Sequence, residues 1–330
     1  MVPITSNDAQ TSVPASLAGW NRLPASYGIP KNPPTEAEAQ EYCRRLAGSH
    51  YENFSVASWF LPQRLRQHFF NVYAYCRISD DLGDEVGDPD ASLKLLDQWQ
   101  AELNACYSGK PRHPVFVALA ETVRKFDIPK QTFADLLTAF RQDQSITRYP
   151  TFDDLLGYCH NSANPVGRLV LYVCGYRDEA RQQLSDFTCT ALQLANFWQD
   201  VRQDYARGRV YIPQKDMEFF RVSDENIAEG IATPEFCGLM RCEVDYARGL
   251  FEEGLPLIGM VNRHLAMDLD LFSRGGLEIL RAIERQSYDV LSSRPAISKS
   301  TKAALAFRAV TAKLMPFLRL GRHVRREKTA

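Results

Sequence analysis

From about residue 36 onward, apolar positions recur every three or four residues, the period of helices that bury one face. Stretches such as SLKLLDQWQAELNACYSG, HPVFVALAETVRKF, KQTFADLLTAFRQDQ and SDFTCTALQLANFWQDVRQDYARG keep that period for several turns. Glycine and proline punctuate them at 109–111, 114, 129, 150, 165–167 and 213. Proline lacks the N–H that a helix interior needs, and glycine ends helices at little steric cost. Alternating β-branched runs joined by hairpin turns are missing, as is any internal repeat of roughly 20–50 residues. The pattern predicts one all-α domain over residues 36–320. The first 34 residues depart from it, holding six of the 18 prolines and many Ser, Thr and Asn. They have neither the apolar run nor the basic lead of a secretory signal. Residues 1–35 therefore read as a poorly ordered arm or a wrapping extension. Residues 321–330 read as a basic tail.

Composition narrows the function classes. The chain has 330 residues, 45% of them hydrophobic, enough for a sizeable core. A net charge of −1 gives no global basic field for nucleic acid. No run of roughly 18 apolar residues occurs, so no membrane-spanning helix is expected. Eight cysteines are scattered through apolar helical stretches, without CxxC or zinc spacing. They read as buried thiols of a reduced, cytoplasmic protein. The basic tail reads as solvated, with contact to an anionic membrane face as the alternative.

Two polar stripes interrupt the apolar pattern. In NFWQDVRQDYARGRVYIP, residues 196–213, Asn196, Asp200 and Asp204 follow at one-turn spacing and share a helix face. In YAYCRISDDLGDEVGD, Asp80 and Asp84 repeat the spacing, and Arg77 and Tyr73 extend that face backwards. Asp81 and Glu85 fall about 100° round the helix, as supporting or solvated groups. Like charges at this spacing repel by a few tenths of a kcal/mol. With 40 acidic residues, roughly five such pairs arise by chance, and either pair alone reads as a solvated face. Two pairs together suit Mg²⁺, which takes one or two carboxylates per ion and completes its shell with water and phosphate oxygens. Arg77, Arg202, Arg207 and Arg209 stand near the acids in sequence, and guanidinium holds phosphate bidentately. Phe54, Tyr73, Tyr158, Phe197 and Trp198 are each ordinary core residues singly. Together they suit a cavity that stabilises a carbocation and excludes water.

The motifs AYCRISDDLGDE and LQLANFWQDVRQDYARGRVYIP resemble those of the squalene/phytoene synthase family. The resemblance extends to HYENF at 50–54, TRYPTFDDLLGYCHNSANPVGRLVL at 147–171 and LRAIERQSYDVL at 280–291. It covers roughly residues 40–320, in the family's order and spacing. It implies an all-α, single-domain isoprenoid-synthase helical bundle with a central cavity, acting on prenyl diphosphates. It further implies Mg²⁺, with Mn²⁺ as an alternative, held by Asp80, Asp84, Asp200 and Asp204 with Asn196 beside the second pair. His50, Tyr73, Arg77, Gln193 and Asn196 match positions that contact the substrate or its diphosphate, and Tyr288 matches a pocket tyrosine. Arg209 joins them as a diphosphate ligand. Gln203 departs from the family, where many relatives have Glu, and leaves the Asp pair intact.

Within the family, HYENF, SANPVGRLVL and NFWQDV most resemble the hydroxysqualene synthases of bacterial hopanoid biosynthesis. That branch ionises presqualene diphosphate, rearranges the cation and quenches it with water, a carbon–oxygen lyase reaction that needs no NAD(P)H. His160, Asn161, Ser162 and Asn164, before the break at Pro165, are expected either to hold a water or to cap the helix. Expected partners are the prenyl diphosphate, a membrane surface touched peripherally for the lipid product, and neighbouring hopanoid-pathway enzymes. The alternatives are a first-step head-to-head synthase making presqualene diphosphate, phytoene or dehydrosqualene, and a non-catalytic assembly subunit. The intact acids, with Arg77 and Asn196, speak against the last.

Overall fold

The computed structural model describes residues 23–49 and 62–297. Helices form where the periodicity places them: α1 (Glu36–Ser49), α2 (Gln63–Asp84), α3 (Pro89–Tyr107), α4 (Pro114–Phe126), α5 (Lys130–Gln142) and α6 (Phe152–Ser162). Then come α7 (Asn164–Val173), α8 (Glu179–Ala206), α9 (Gln214–Phe220), α10 (Asp224–Glu229), α11 (Pro234–Gly254) and α12 (Arg263–Arg285). Among the described residues no strand forms, and the one extended pairing is a bridge between Arg148 and Val210. Helix starts carry the expected chemistry, because the first backbone N–H groups need acceptors outside the helix. Asp88 accepts from Ala91 N at 2.7 Å ahead of Pro89. Thr151 and Asp154 form a reciprocal capping box.

Helix α8 is the spine. Its 28 residues span about 42 Å, and α6, α7, α10, α11 and α12 pack around it. Two glycines permit the closest approaches. A side chain at Gly167 of α7 would strike Ser185 and Cys189 of α8. One at Gly254 of α11 would strike the Thr188 hydroxyl and lie 3.1 Å from Leu184 O. The core has two principal halves. One gathers Tyr75, Leu82, Trp99, Phe116 and Phe133 around α2, and the other gathers Leu194, Trp198, Phe236 and Phe251 around α8. Each fully buried side chain of this size contributes roughly 1.5–3 kcal/mol. The acidic stripes thus end two long helices, one from each half.

Of the arm expected over 1–35, residues 23–35 are described, and there Leu23 and Tyr27 are buried in the α2 half of the core. Residues 1–22, the HYENF motif with His50, and the tail at 321–330 lie outside the described residues. All eight cysteines are free thiols. Among the described residues, no helix is long and apolar enough to cross a membrane.

Candidate active site

At the C-terminal end of α2, Asp80 is partly buried and Asp84 is exposed. Arg77, one turn earlier, spends two donors on Asp81: its Nε lies 3.1 Å from Oδ2, and its Nη2 contacts Oδ1. Its other terminal nitrogen reaches Asp80 Oδ2 at 3.5 Å. Asp81 also accepts from the Tyr27 hydroxyl at 2.6 Å. The structure thereby separates the two flanking acids: Asp81 is buried, 5% exposed, while Glu85 faces solvent. Tyr73 is half-buried on the same face, and burial raises its hydroxyl pKa.

The second stripe ends α8. Gly208, with φ +80°, reverses the chain. Backbone bonds from Val210 N to Thr147 O and from Gln214 N to Tyr149 O, both 2.9 Å, then dock the exit against the segment before α6. This docking fixes Arg209, whose guanidinium donates to Asp84 Oδ1 at 3.1 Å. Burial raises the pKa of Asp204 and Asp143, and the Arg209 charge offsets only part of that rise. Arg209 therefore ties the acidic end of α2 to that of α8. Tyr211 stacks on Phe197 at 3.7 Å, within a ring cluster that includes Tyr149 and Tyr158.

Three carboxyls here titrate high. Partial burial, then repulsion from Asp84, pushes Asp80 up to about 6. Burial, then Asp200, does the same to Asp204, up to about 6. Asp143, which caps the C-terminus of α5 and accepts from Tyr158 at 3.1 Å, is also raised by burial to about 6. Among the described residues, no three His, Cys, Asp or Glu side chains form a ready-made metal cage. The donor set of oxygen-bearing pairs that repel one another fits a hard cation that shares its shell with water and phosphate.

Of the residues singled out in the sequence, Asp80, Asp84, Arg77 and Tyr73 share one stripe. Asp200, Asp204 and Arg209 belong to the other, with Asn196 exposed and Gln193 half-buried on preceding turns. Tyr288 is placed differently: its ring lies beneath Arg241 of α11, 5.1 Å from the guanidinium. Arg202 turns away from the acids to donate to Leu291 O at 2.9 Å. The polar residues of YCHNSANP have separate surroundings. His160 is exposed, Asn164 accepts from the Thr190 hydroxyl at 2.9 Å, and the α7 start has no side-chain cap. Ser162 Oγ is buried without a hydrogen-bond partner among the described residues. Sequence reasoning missed three participants. Asp143 has no acid at i+4 to flag it. Tyr27 lay in the arm. Arg294, beyond α12, grips both oxygens of Asp200, with Nη2 at 3.0 Å from Oδ2. Its segment is held by Gln199 Nε2 donating to Pro295 O at 2.6 Å.

The sequence profile of squalene/phytoene synthase matches residues 48–301. A phytoene synthase of Arthrospira platensis is 30% identical over 280 residues, covering 80% of this chain and 90% of that protein. The crystal structure of squalene synthase HpnC from Alicyclobacillus acidocaldarius is 45% identical with a TM-score of 0.74, covering 80% of this chain and 98% of that one. A dehydrosqualene synthase solved with a ligand is 27% identical with a TM-score of 0.75, covering 84% of this chain and 98% of that one. These matches agree with the helical architecture, and the chain belongs to the squalene/phytoene synthase family of prenyltransferase-type enzymes.

Proposed function

We propose that the protein is a hydroxysqualene synthase, which ionises presqualene diphosphate and quenches the rearranged cation with water. The observation that carries this reading is the 45% identity to HpnC along nearly all of that chain, against 30% to the phytoene synthase and 27% to the dehydrosqualene synthase. Asp80 and Asp84 on one side, with Asp200, Asp204 and Asn196 on the other, would hold Mg²⁺, or Mn²⁺ in its place. The metal supplies positive charge for the departing diphosphate. Arg77 and Arg209 add donors for its oxygens, and Arg209 stands between the two stripes. The rings of Tyr158, Phe197 and Tyr211 border the acids and offer faces that stabilise a cation. The buried hydroxyl of Ser162, two residues before Asn164, retains hydrogen-bonding capacity that suits a quenching water.

A second reading, a first-step head-to-head prenyltransferase, is favoured by the names of the phytoene and dehydrosqualene synthase relatives. Incubation with Mg²⁺ and either presqualene, farnesyl or geranylgeranyl diphosphate, followed by mass spectrometry, separates the two. The proposal expects turnover of presqualene diphosphate alone. In ¹⁸O-labelled water the product should be labelled hydroxysqualene, with or without NADPH. Squalene formed only when NADPH is present, or consumption of the shorter diphosphates, would overturn it.

A further inference from the structure

We propose that Asp81, pinned by Tyr27, is a positioning residue that holds Arg77 in place for the diphosphate. The proposal rests on the reading of the acidic stripes as a diphosphate site and assigns a task to a carboxylate that reading leaves unused. Asp81 is 5% exposed, on the face of α2 turned into the bundle. A buried carboxylate is costly unless its oxygens are satisfied by donors or a counter-charge. Asp81 has both. Oδ2 accepts from the Tyr27 hydroxyl at 2.6 Å and from Arg77 Nε at 3.1 Å, and Oδ1 accepts from Arg77 Nη2.

The geometry has a consequence for Arg77. Its guanidinium is planar, so two bonds to one carboxylate fix the plane as well as the position. With Nε and Nη2 anchored behind, Nη1 is held on the Asp80 side, 3.5 Å from Oδ2. Arg77 remains 28% exposed, so part of the fork stays open to a ligand. Without Asp81, the nearest carboxylate for this cation is Asp80, on its own helix face. The arginine would then neutralise a proposed metal ligand instead of meeting phosphate. Asp81 thus competes with Asp80 for Arg77 and takes two of its donors, while the contact to Asp80 is the longer one. Tyr27 belongs to the short 3₁₀ turn Ala25–Tyr27, ahead of α1, and is itself buried. Its bond spans 54 residues and fastens that N-terminal turn to the acidic motif.

The test is a double-mutant cycle on the full chain, read by calorimetric titration of inorganic diphosphate in the presence of Mg²⁺. Asp81→Asn should weaken binding about tenfold, the usual cost of removing a group that orients a ligand-binding side chain. In an Arg77→Ala background the same change should add less than about twofold, since the residue acts through the arginine. Tyr27→Phe, which removes one hydroxyl, should weaken binding by roughly twofold to fivefold and lose its effect in the same background. Asp81→Glu should recover part of the affinity. A residue with only a structural role would lower the melting temperature and leave the diphosphate affinity of the folded protein unchanged. That result, or effects of Asp81→Asn and Arg77→Ala that simply add, would overturn the proposal. If Asp81→Asn does not fold, Tyr27→Phe carries the test by the same criteria. Wild-type protein that binds no diphosphate with Mg²⁺ would overturn the diphosphate-site reading and this inference with it. Wild-type binding that the variants leave unmoved would overturn this inference alone.

Discussion

Asp200 and Glu243 show two opposite fates for a carboxylate. Asp200 is gripped by Arg294 and sits four residues from Asp204, whose pKa it helps to raise. Asp200→Asn or Asp80→Asn should therefore cut turnover by about a hundredfold or more if these groups hold the metal. The melting temperature should change little, since each substitution also relieves repulsion within its pair. Wild-type turnover of Asp200→Asn at limiting Mg²⁺ would remove it from the site. Glu243, on α11, is 2% exposed, with Oε2 unpartnered among the described residues. Burial, helped by Asp216, pushes it up to about 8 from 4.5. Between those values the folded chain holds a proton that the unfolded chain has released, so stability falls as pH rises through this window. Glu243→Gln should flatten that fall and melt higher than wild type above about pH 8 in scanning calorimetry; parallel curves would reject the assignment. Asp80, Asp84, Asp200 and Asp204 stood out in the sequence because two pairs with one-turn spacing fall within motifs that resemble the family's, and that spacing puts each pair on one helix face without any tertiary information. Asp81 and Asp143 did not, since what distinguishes them is Tyr27 and Tyr158, partners brought near by tertiary packing.

Helix boundaries are set locally for a related reason. Asp88–Pro89, Thr151 with Asp154, and Asn262 act on backbone groups within a turn of themselves, so their chemistry needs no distant partner. Which faces meet is a different matter. Nothing local says that Gly254 lies on α8, yet an added methyl there would meet the Thr188 hydroxyl, Leu184 O and Thr188 N. Two of these are backbone atoms that cannot rotate away. Gly254→Ala should thus force α11 from α8 and cost about 1–3 kcal/mol, seen as a lower urea midpoint with an unchanged slope. An unchanged midpoint would mean that the two helices tolerate separation. The same logic separates Gly167, packed on Ser185 and Cys189, from Gly157, which meets nothing within 4 Å. Both are α-helical glycines in one stretch of sequence, and only the fold tells them apart.

At the scale of the whole molecule, each principal half of the core contributes one acidic stripe, and Arg209 links them through Asp84 and Asp204. A ligand that bound both stripes would brace the halves against each other and stabilise only the folded chain. At a hundred times its Kd such a ligand adds about 2.7 kcal/mol, enough to raise the melting temperature by several degrees. The pH dependence follows from the carboxyls. Asp80, Asp143 and Asp204 are each raised to about 6 from 3.8, so the folded chain binds more protons than the unfolded one in that interval. Without metal, their contribution to stability is present at low pH and fades as pH rises through about 6. Metal binding runs the other way, because a carboxylate must lose its proton to become a ligand. Mg²⁺ with inorganic diphosphate should therefore shift the melting temperature little near pH 5 and by its full amount near pH 8. Asp204→Asn should reduce the shift at pH 8, since it removes a charged oxygen donor from the second stripe. Differential scanning fluorimetry at the two pH values reads all of these. A shift of equal size at pH 5 and pH 8, or one that survives intact in Asp204→Asn, would show that the cation and diphosphate bind elsewhere than between the two acidic helix ends.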